Sequence, residues 1–394
     1  MSYLETLKHP VVARLSLIQI ISYFGTWFSQ VAIFSMLVSY KADAITIAFT
    51  AAMAMLPAVV LAPLIGIIID RIEFKKLMMT LLLIEIIMTL GFLFIDSLEQ
   101  VWILMILIFI RSAAASLLFS AEMALFPKIV KGEMLKNTNE IHSIIWSFSY
   151  ASGMAVGGVA TYYWGHDVAF IIDAILYSTA ALLLLGLKLS LESTIHTDSN
   201  WQMFKDGFNY LKARKKILHL IFLHAAIGLT SFDALITLLA DFQYREIIAV
   251  PLAIGLMNAT RAVGLMIGPF FIGKIIHKGN LHYFFLLQGL AIILWSTQES
   301  NFYLGLIALF ITGFFITTLW SYTYLLIQEE TDPRYMGRVI SYNDMFFMLS
   351  NVSTALFIGY ASKWGFSLES ITFTLGIGFI FVAGYYVWFK RQYL

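Results

Sequence analysis

Pro63-Leu64-Ile65-Gly66-Ile67-Ile68-Ile69-Asp70-Arg71-Ile72-Glu73-Phe74-Lys75-Lys76 closes one apolar run and opens another. A bilayer-spanning helix needs about 20 apolar residues, and lipid tolerates no unpaired backbone, so the short charged turn must sit at a membrane face between two buried helices. Gly66 permits close helix approach, Asp70 and Arg71 end the first helix, and Lys75 and Lys76 begin the next on the cytoplasmic side.

The rest of the chain has the same character. Its 394 residues are 60% hydrophobic and 12% charged, with a mean hydropathy of +0.83, far from a soluble globular composition. Apolar runs fall at about 15–40, 44–69, 77–96, 100–126, 138–163 and 167–188, then at about 217–240, 249–273, 281–297, 301–327, 337–361 and 367–389. The expected fold is an all-α membrane protein of twelve transmembrane helices in two pseudo-repeated six-helix bundles. The N-terminal bundle is expected over residues 1–188, a cytoplasmic linker over 189–216 and the C-terminal bundle over 217–394. The first apolar run lacks a small-residue cleavage site and reads as a retained helix.

Charge sets the orientation. Of the 25 Lys and Arg residues, Lys41, Arg245 and Lys363 fall on one face and Arg111 and Arg261 within helices, leaving twenty on the face that carries the amino terminus. The positive-inside rule then puts both termini in the cytoplasm. In the linker, Trp201, Phe204, Phe208 and Leu211 line one helical face while Lys205, Lys212, Arg214 and Lys215 add charge. Such a helix lies on the inner leaflet or docks on the protein's own underside.

An internal repeat supports two halves. One offset of 206 carries Pro63 onto Pro269, Pro127 onto Pro333, Asn137 onto Asn343 and Gly153 onto Gly359. Duplicated bundles favour a substrate site near mid-membrane between them.

Several stretches resemble the major facilitator superfamily. Gly66-x-x-x-Asp70-Arg71 followed by Lys75-Lys76 is similar to that family's loop between helices 2 and 3. Phe126-Pro127-Lys128 through Asn139, Phe170-Ile171-Ile172-Asp173-Ala174, Asn209-Tyr210-Leu211 and Asp332 through Val339 resemble its macrolide-efflux and enterobactin-exporter-like branch. The resemblance covers nearly the whole chain. It implies alternating access, with Gly66, Asp70, Arg71, Lys75, Lys76, Arg334 and Arg338 at an inner gate stabilising the outward-open state. Gly153-Met154-Ala155-Val156-Gly157-Gly158 resembles the antiporter motif, with Met154 where Pro is expected; Gly153, Gly157 and Gly158 still allow tight helix packing.

Ionisable residues inside apolar runs are functional candidates. Arg111 resembles the family's embedded helix 4 Arg. Its candidate acid partners are Glu85, at similar depth on the preceding helix, and Glu122, eleven residues on and roughly 16 Å nearer the cytoplasm. We expect Arg111 to lower the proton affinity of one of them in one transport state and release it in the other. A static structural pair is the competing reading. The second half offers an Asp233–Arg261 pair and His224, Asn258, Asn343 and Asp344. Cavity walls are expected from Tyr23, Trp27, Gln30, Phe119, Trp320 and Tyr324 with these polar groups and Arg111, a lining suited to an aromatic or amphipathic substrate.

The absence of Cys excludes disulfides and thiolate chemistry. No phosphate loop, metal-ligand spacing, nucleophile motif or nucleic-acid patch is visible. The expected protein is not an enzyme, has no cofactor and no metal, and is a monomer in a bacterial cytoplasmic membrane. Its expected partners are a small-molecule substrate, protons and lipid. The function expected is proton-coupled export of a drug-like or siderophore-like molecule. An importer or facilitated-diffusion carrier, a lysophospholipid transporter and a non-transporting receptor stay open.

Overall fold

A computed structural model describes residues 3–187, 200–332 and 334–394. Among them every regular element is helical. After one turn at Tyr3–Thr6 come α1 (Pro10–Ser39), α2 (Ala44–Arg71), α3 (Phe74–Gly91) and α4 (Val101–Ile129). The segment Gly132–Leu185 contains two helices, α5 (132–164) and α6 (166–185), broken at Gly165. There φ is +79°, a conformation that costs only Gly little. The second half comprises α7 (Asn200–Ala213), α8 (Lys215–Ala225), α9 (Asp233–Phe242), α10 (Val250–Ile272), α11 (Leu281–Gln298), α12 (Phe302–Glu330), α13 (Met336–Lys363) and α14 (Leu368–Tyr393). Ten described segments are long and apolar enough to cross a membrane. Counting the two helices of the broken segment and adding α11 gives the twelve expected spans.

The seventh span differs from the continuous helix its apolar run predicts. A 3-10 stretch at Ala226–Thr230 separates α8 from α9. Gly228 packs there against the backbone and side chain of Ser350 and Asn351, closer than a side chain would allow. The carbonyl of Thr230, freed by the break, accepts from Arg261 Nη2 at 2.8 Å. In lipid a freed carbonyl needs such a partner.

Among the described residues the chain divides into two compact units. One holds α1, residues 64–71 of α2, and α3 through α6; the other holds residues 42–63 and α7 through α14. Residues 42–63, expected with the first bundle, pack in the second unit. Ala44, Ile45 and Ala48 surround Gly359, and Phe49 meets Tyr360 edge-on at 6.3 Å. The duplicated pattern shows in equivalent pairings: α3 packs on α6 as α11 packs on α14, and α1 on α5 as the seventh span packs on α13.

In the first unit, α1 and α5 approach until a Cβ at Gly153 would lie 2.8 Å from Trp27 Cβ and 2.9 Å from the Phe24 carbonyl. Gly157 faces the Phe28 backbone just as closely, and Gly158 is buried beside it. Small residues are what close packing in lipid requires. The helix runs unkinked through Met154.

The linker helix α7 docks on the second unit. Tyr210 stacks on Tyr335 at 4.2 Å, and its hydroxyl accepts from the Asp332 amide at 3.0 Å. Leu211 is buried and Phe208 exposed, while the side chains of Trp201, Phe204 and Lys205 lie outside the described residues.

Candidate functional site

The first unit buries a polar cluster at the level of Arg111. Its guanidinium, on α4, meets Asp173 of α6 at 2.6 Å, with the two side chains 6% and 0% exposed. Arg111 Nη2 also donates to Ser29 Oγ at 2.9 Å and to the Tyr177 hydroxyl at 3.5 Å, and Thr26 Oγ1 lies 2.6 Å from that hydroxyl. The rings of Phe92 and Tyr177 flank the cation at 5.6 and 5.5 Å. A charge in lipid must be paired and hydrogen-bonded in this way. Gly25 makes room for the acid, since a Cβ there would strike Asp173 Oδ1.

Asp173, quoted in the sequence only for its resemblance, is thus the partner of Arg111, rather than Glu85 or Glu122. Its signal was present: an acid inside an apolar run is a candidate by that fact alone. Glu85, on α3, lines a cavity of about 30 Å³ together with Arg111, Gln30, Thr26 and Ser112. It is 1% exposed, and neither carboxyl oxygen makes a hydrogen bond of ordinary geometry among the described residues, although the Tyr177 hydroxyl and Arg111 are within reach of it. Its expected depth near Arg111 agrees with this shared cavity.

Glu122 forms a second centre on the same unit. Its Oε2 accepts from Gln19 Nε2 at 3.1 Å and from the Tyr23 hydroxyl, while the buried Oε1 has no partner among the described residues. The His142 ring lies within 5.0 to 5.8 Å of Phe119, Tyr23 and Phe126, and both its nitrogens are buried without partners among the described residues. Sequence reading passed over His142. Trp27 stands apart from this centre, tilted on Tyr150 at 4.4 Å and edge-on to Trp146 at 5.8 Å.

In the second unit several expected residues do converge. His224 Nδ1 lies 2.9 Å from Thr323 Oγ1, and its ring is surrounded by Trp320, Tyr324 and Phe347 at 5.4 to 5.6 Å. Trp320 stacks on Tyr324 at 5.0 Å. His224 Nε2 is buried and has no partner among the described residues. Asn343 Nδ2 donates to Asp344 Oδ1 at 3.2 Å, whereas Asn258 turns its amide onto its own helix at Ile254. The expected Asp233–Arg261 pair is not a direct ion pair. Arg261 spends its guanidinium on the Thr230 carbonyl and the Phe232 ring, 4.9 Å away, with Asp233 within reach of its field.

The gate residues of the basic loops are placed unevenly. The surroundings of Gly66 and the side chain of Asp70 lie outside the described residues, and Arg71 and Lys76 are exposed. Lys75 Nζ donates to the carbonyls of Leu185 and Leu187, both at 2.8 Å, and Arg14 to that of Gly186. These cations close the C-terminus of α6 and complement its dipole. Arg338 lies 5.3 Å over the Tyr335 ring and Arg334 is exposed, its amide donating to Asp332.

Twelve apolar helices in two related units, each burying ionisable groups in its membrane-spanning interior, define a polytopic membrane carrier. The family model described as Major Facilitator Superfamily matches residues 15–351, and the chain belongs to that family. It is 24% identical over 341 residues to macrolide efflux protein A of Streptococcus pyogenes, covering 82% of each chain. To the protein of the same name in Enterococcus faecalis it is 25% identical over 304 residues, 73% of this chain and 91% of the other. Among solved structures, the nucleoside transporter NupG matches with a TM-score of 0.76 at 14% identity, covering 98% of this chain and 100% of that one. A bacterial homolog of the lysosomal transporter Spinster in an inward-facing, unoccupied state gives 0.76 at 14% identity over 97% and 96%. These structural likenesses establish the fold alone.

Proposed function

We propose that this protein is a proton-coupled exporter of hydrophobic or amphipathic small molecules, working by alternating access in a bacterial cytoplasmic membrane with both termini inside. The observation that carries the coupling is the pair of acids, Glu85 and Glu122, buried in membrane-spanning helices, neither in an ion pair among the described residues and each with at least one carboxyl oxygen that no hydrogen bond satisfies there. Such a group is stable when neutral and costly when ionised, so its charge depends on whether its surroundings admit water. Arg111, held by Asp173, supplies a fixed positive charge beside Glu85 at the shared cavity. A change in that cavity's access to water changes whether Glu85 keeps its proton.

The macrolide-efflux relatives, together with the aromatic surroundings of Tyr23, Phe119, Trp320 and Tyr324, support a bulky apolar substrate. Met154 leaves α5 without a proline kink, so the direction of transport rests on the relatives and on experiment. Asp70, Arg71 and their neighbours act as an inner gate in this reading.

The test is macrolide uptake into everted vesicles under an imposed proton gradient. Glu85→Gln and Glu122→Gln are each expected to abolish dependence on the gradient while leaving macrolide binding intact, and Asp70→Asn to slow transport with coupling preserved. Gradient-dependent transport in both Gln variants would overturn the coupling, and a wild-type protein that binds macrolide without moving it would be a receptor.

A further inference from the structure

Away from these centres, the second unit buries one more carboxyl. Glu299 occupies the turn between α11 and α12, outside both spans, and is only 4% exposed. It lies on the face opposite the basic loops. Directly below it, α11 and α14 are pressed together, with the carbonyl of Gly376 lying 2.8 Å from where a Cβ on Gly289 would sit.

Among the described residues, no cation acts on Glu299. From α14, Thr372 Oγ1 contacts Glu299 Oε1, and Glu369 is within reach of its field. From the segment after α9 comes Tyr244, whose buried hydroxyl has no partner among the described residues. Arg245, next to Tyr244, is paired with Asp241. No Lys, Arg or His among the described residues forms an ion pair with Glu299. A buried carboxylate with one neutral partner and a like charge nearby lacks what ionisation requires.

Thr372 supplies the hydrogen-bond partner of the Glu299 carboxyl. Its Oγ1 lies 3.0 Å from the Leu368 carbonyl as well as against Glu299, and a hydroxyl has one hydrogen to give. Donated to Glu299, that hydrogen gives the carboxyl a single neutral partner, too little to hold a charge out of water.

We propose that Glu299 is a proton-binding site that latches the α11–α12 turn to the first turns of α14 when neutral and releases it when ionised. The charged form must find water, and it finds it only if the turn moves off Thr372. Burial, reinforced by the Glu369 carboxylate, pushes Glu299 up from 4.5 to about 8, with the Thr372 bond pulling the other way. A carboxyl raised in this way binds its proton more tightly folded than unfolded. Its stabilisation is complete below about 4.5 and is lost as pH rises through about 8. The proposal is independent of what the protein transports.

The experiment is thermal unfolding of the purified full chain in lipid nanodiscs across pH, comparing wild type with Glu299→Gln, a neutral mimic of the protonated acid. The variant should match wild type at acidic pH and unfold at a higher temperature above about pH 8, so that the difference between the two curves is itself pH-dependent. Equal destabilisation at every pH, or failure of the variant to fold, would overturn the proposal, because a neutral isostere of a neutral carboxyl leaves the packing in place. Glu369→Gln, at an exposed position, serves as a second variant. It removes the neighbouring charge and should move the wild-type transition to lower pH. An unmoved transition would show that Glu299 is not the titrating group.

Discussion

Replacing Asp173 by Leu strands Arg111 in the membrane-spanning interior of the first unit, and the cost follows from the geometry. At 2.6 Å and an effective dielectric constant of about 20, the attraction lost is about 6 kcal/mol. The desolvation that both ions already bear offsets part of this, and removing one partner of a buried pair costs about 3–5 kcal/mol. Two features keep the loss in that range rather than above it. Ser29 and the Tyr177 hydroxyl still accept from Arg111, and two aromatic rings still face its charge.

Glu85 shares the cavity and is an acid to which Arg111 can turn. The cost of Asp173→Leu should therefore grow when Glu85→Gln is added. Arg111→Met with Asp173→Leu should recover most of the loss, because an apolar pair strands no charge. The measurement is unfolding free energy in mixed micelles over the complete double-mutant cycle. Single-variant costs below about 1 kcal/mol, or an additive cycle, would refute the view that this ion pair holds α4 to α6.

Two further predictions concern packing and capping. Gly157→Val would drive a branched side chain into the Phe28 backbone of α1; a loss of about 1–3 kcal/mol is expected in thermal unfolding, and unchanged stability would show that the two helices can part without penalty. Asp43 Oδ1 accepts from the Thr46 amide at 2.8 Å at the start of α2, and that bond holds its carboxyl below the ordinary 3.8. Asp43→Ala should cost about 1 kcal/mol at neutral pH. The capping contribution is complete above about 3.8 and disappears as pH falls through the lower folded value, so wild type and variant should converge on acidification; a gap that persists in acid would exclude the charged cap.

Much of the architecture was legible in the chain. Helix ends agree with the apolar runs to within a few residues, as at 44–69 against Ala44–Arg71 and 281–297 against Leu281–Gln298. The twelve spans and the family followed from the same reading. Within the candidate site, Arg111, Glu85 and Glu122 stood out as ionisable groups inside apolar runs, and His224, Trp320 and Tyr324 as separate candidates. The partner of Arg111, the orphaned nitrogens of His142, the interruption at Ala226–Thr230 and the setting of Glu299 were not foreseen.

The division has a physical cause. In lipid each helix must satisfy its own backbone, so span length and charged ends are local properties that the sequence by itself determines. Which side chains meet depends on the neighbour each helix acquires and on its rotation about its axis, where a step of one residue turns a side chain by about 100°. Asp173 stands 62 positions from Arg111, and Thr372 73 from Glu299. Only the tertiary structure, by pressing α6 against its neighbours and α14 against α11, decided that these would be partners.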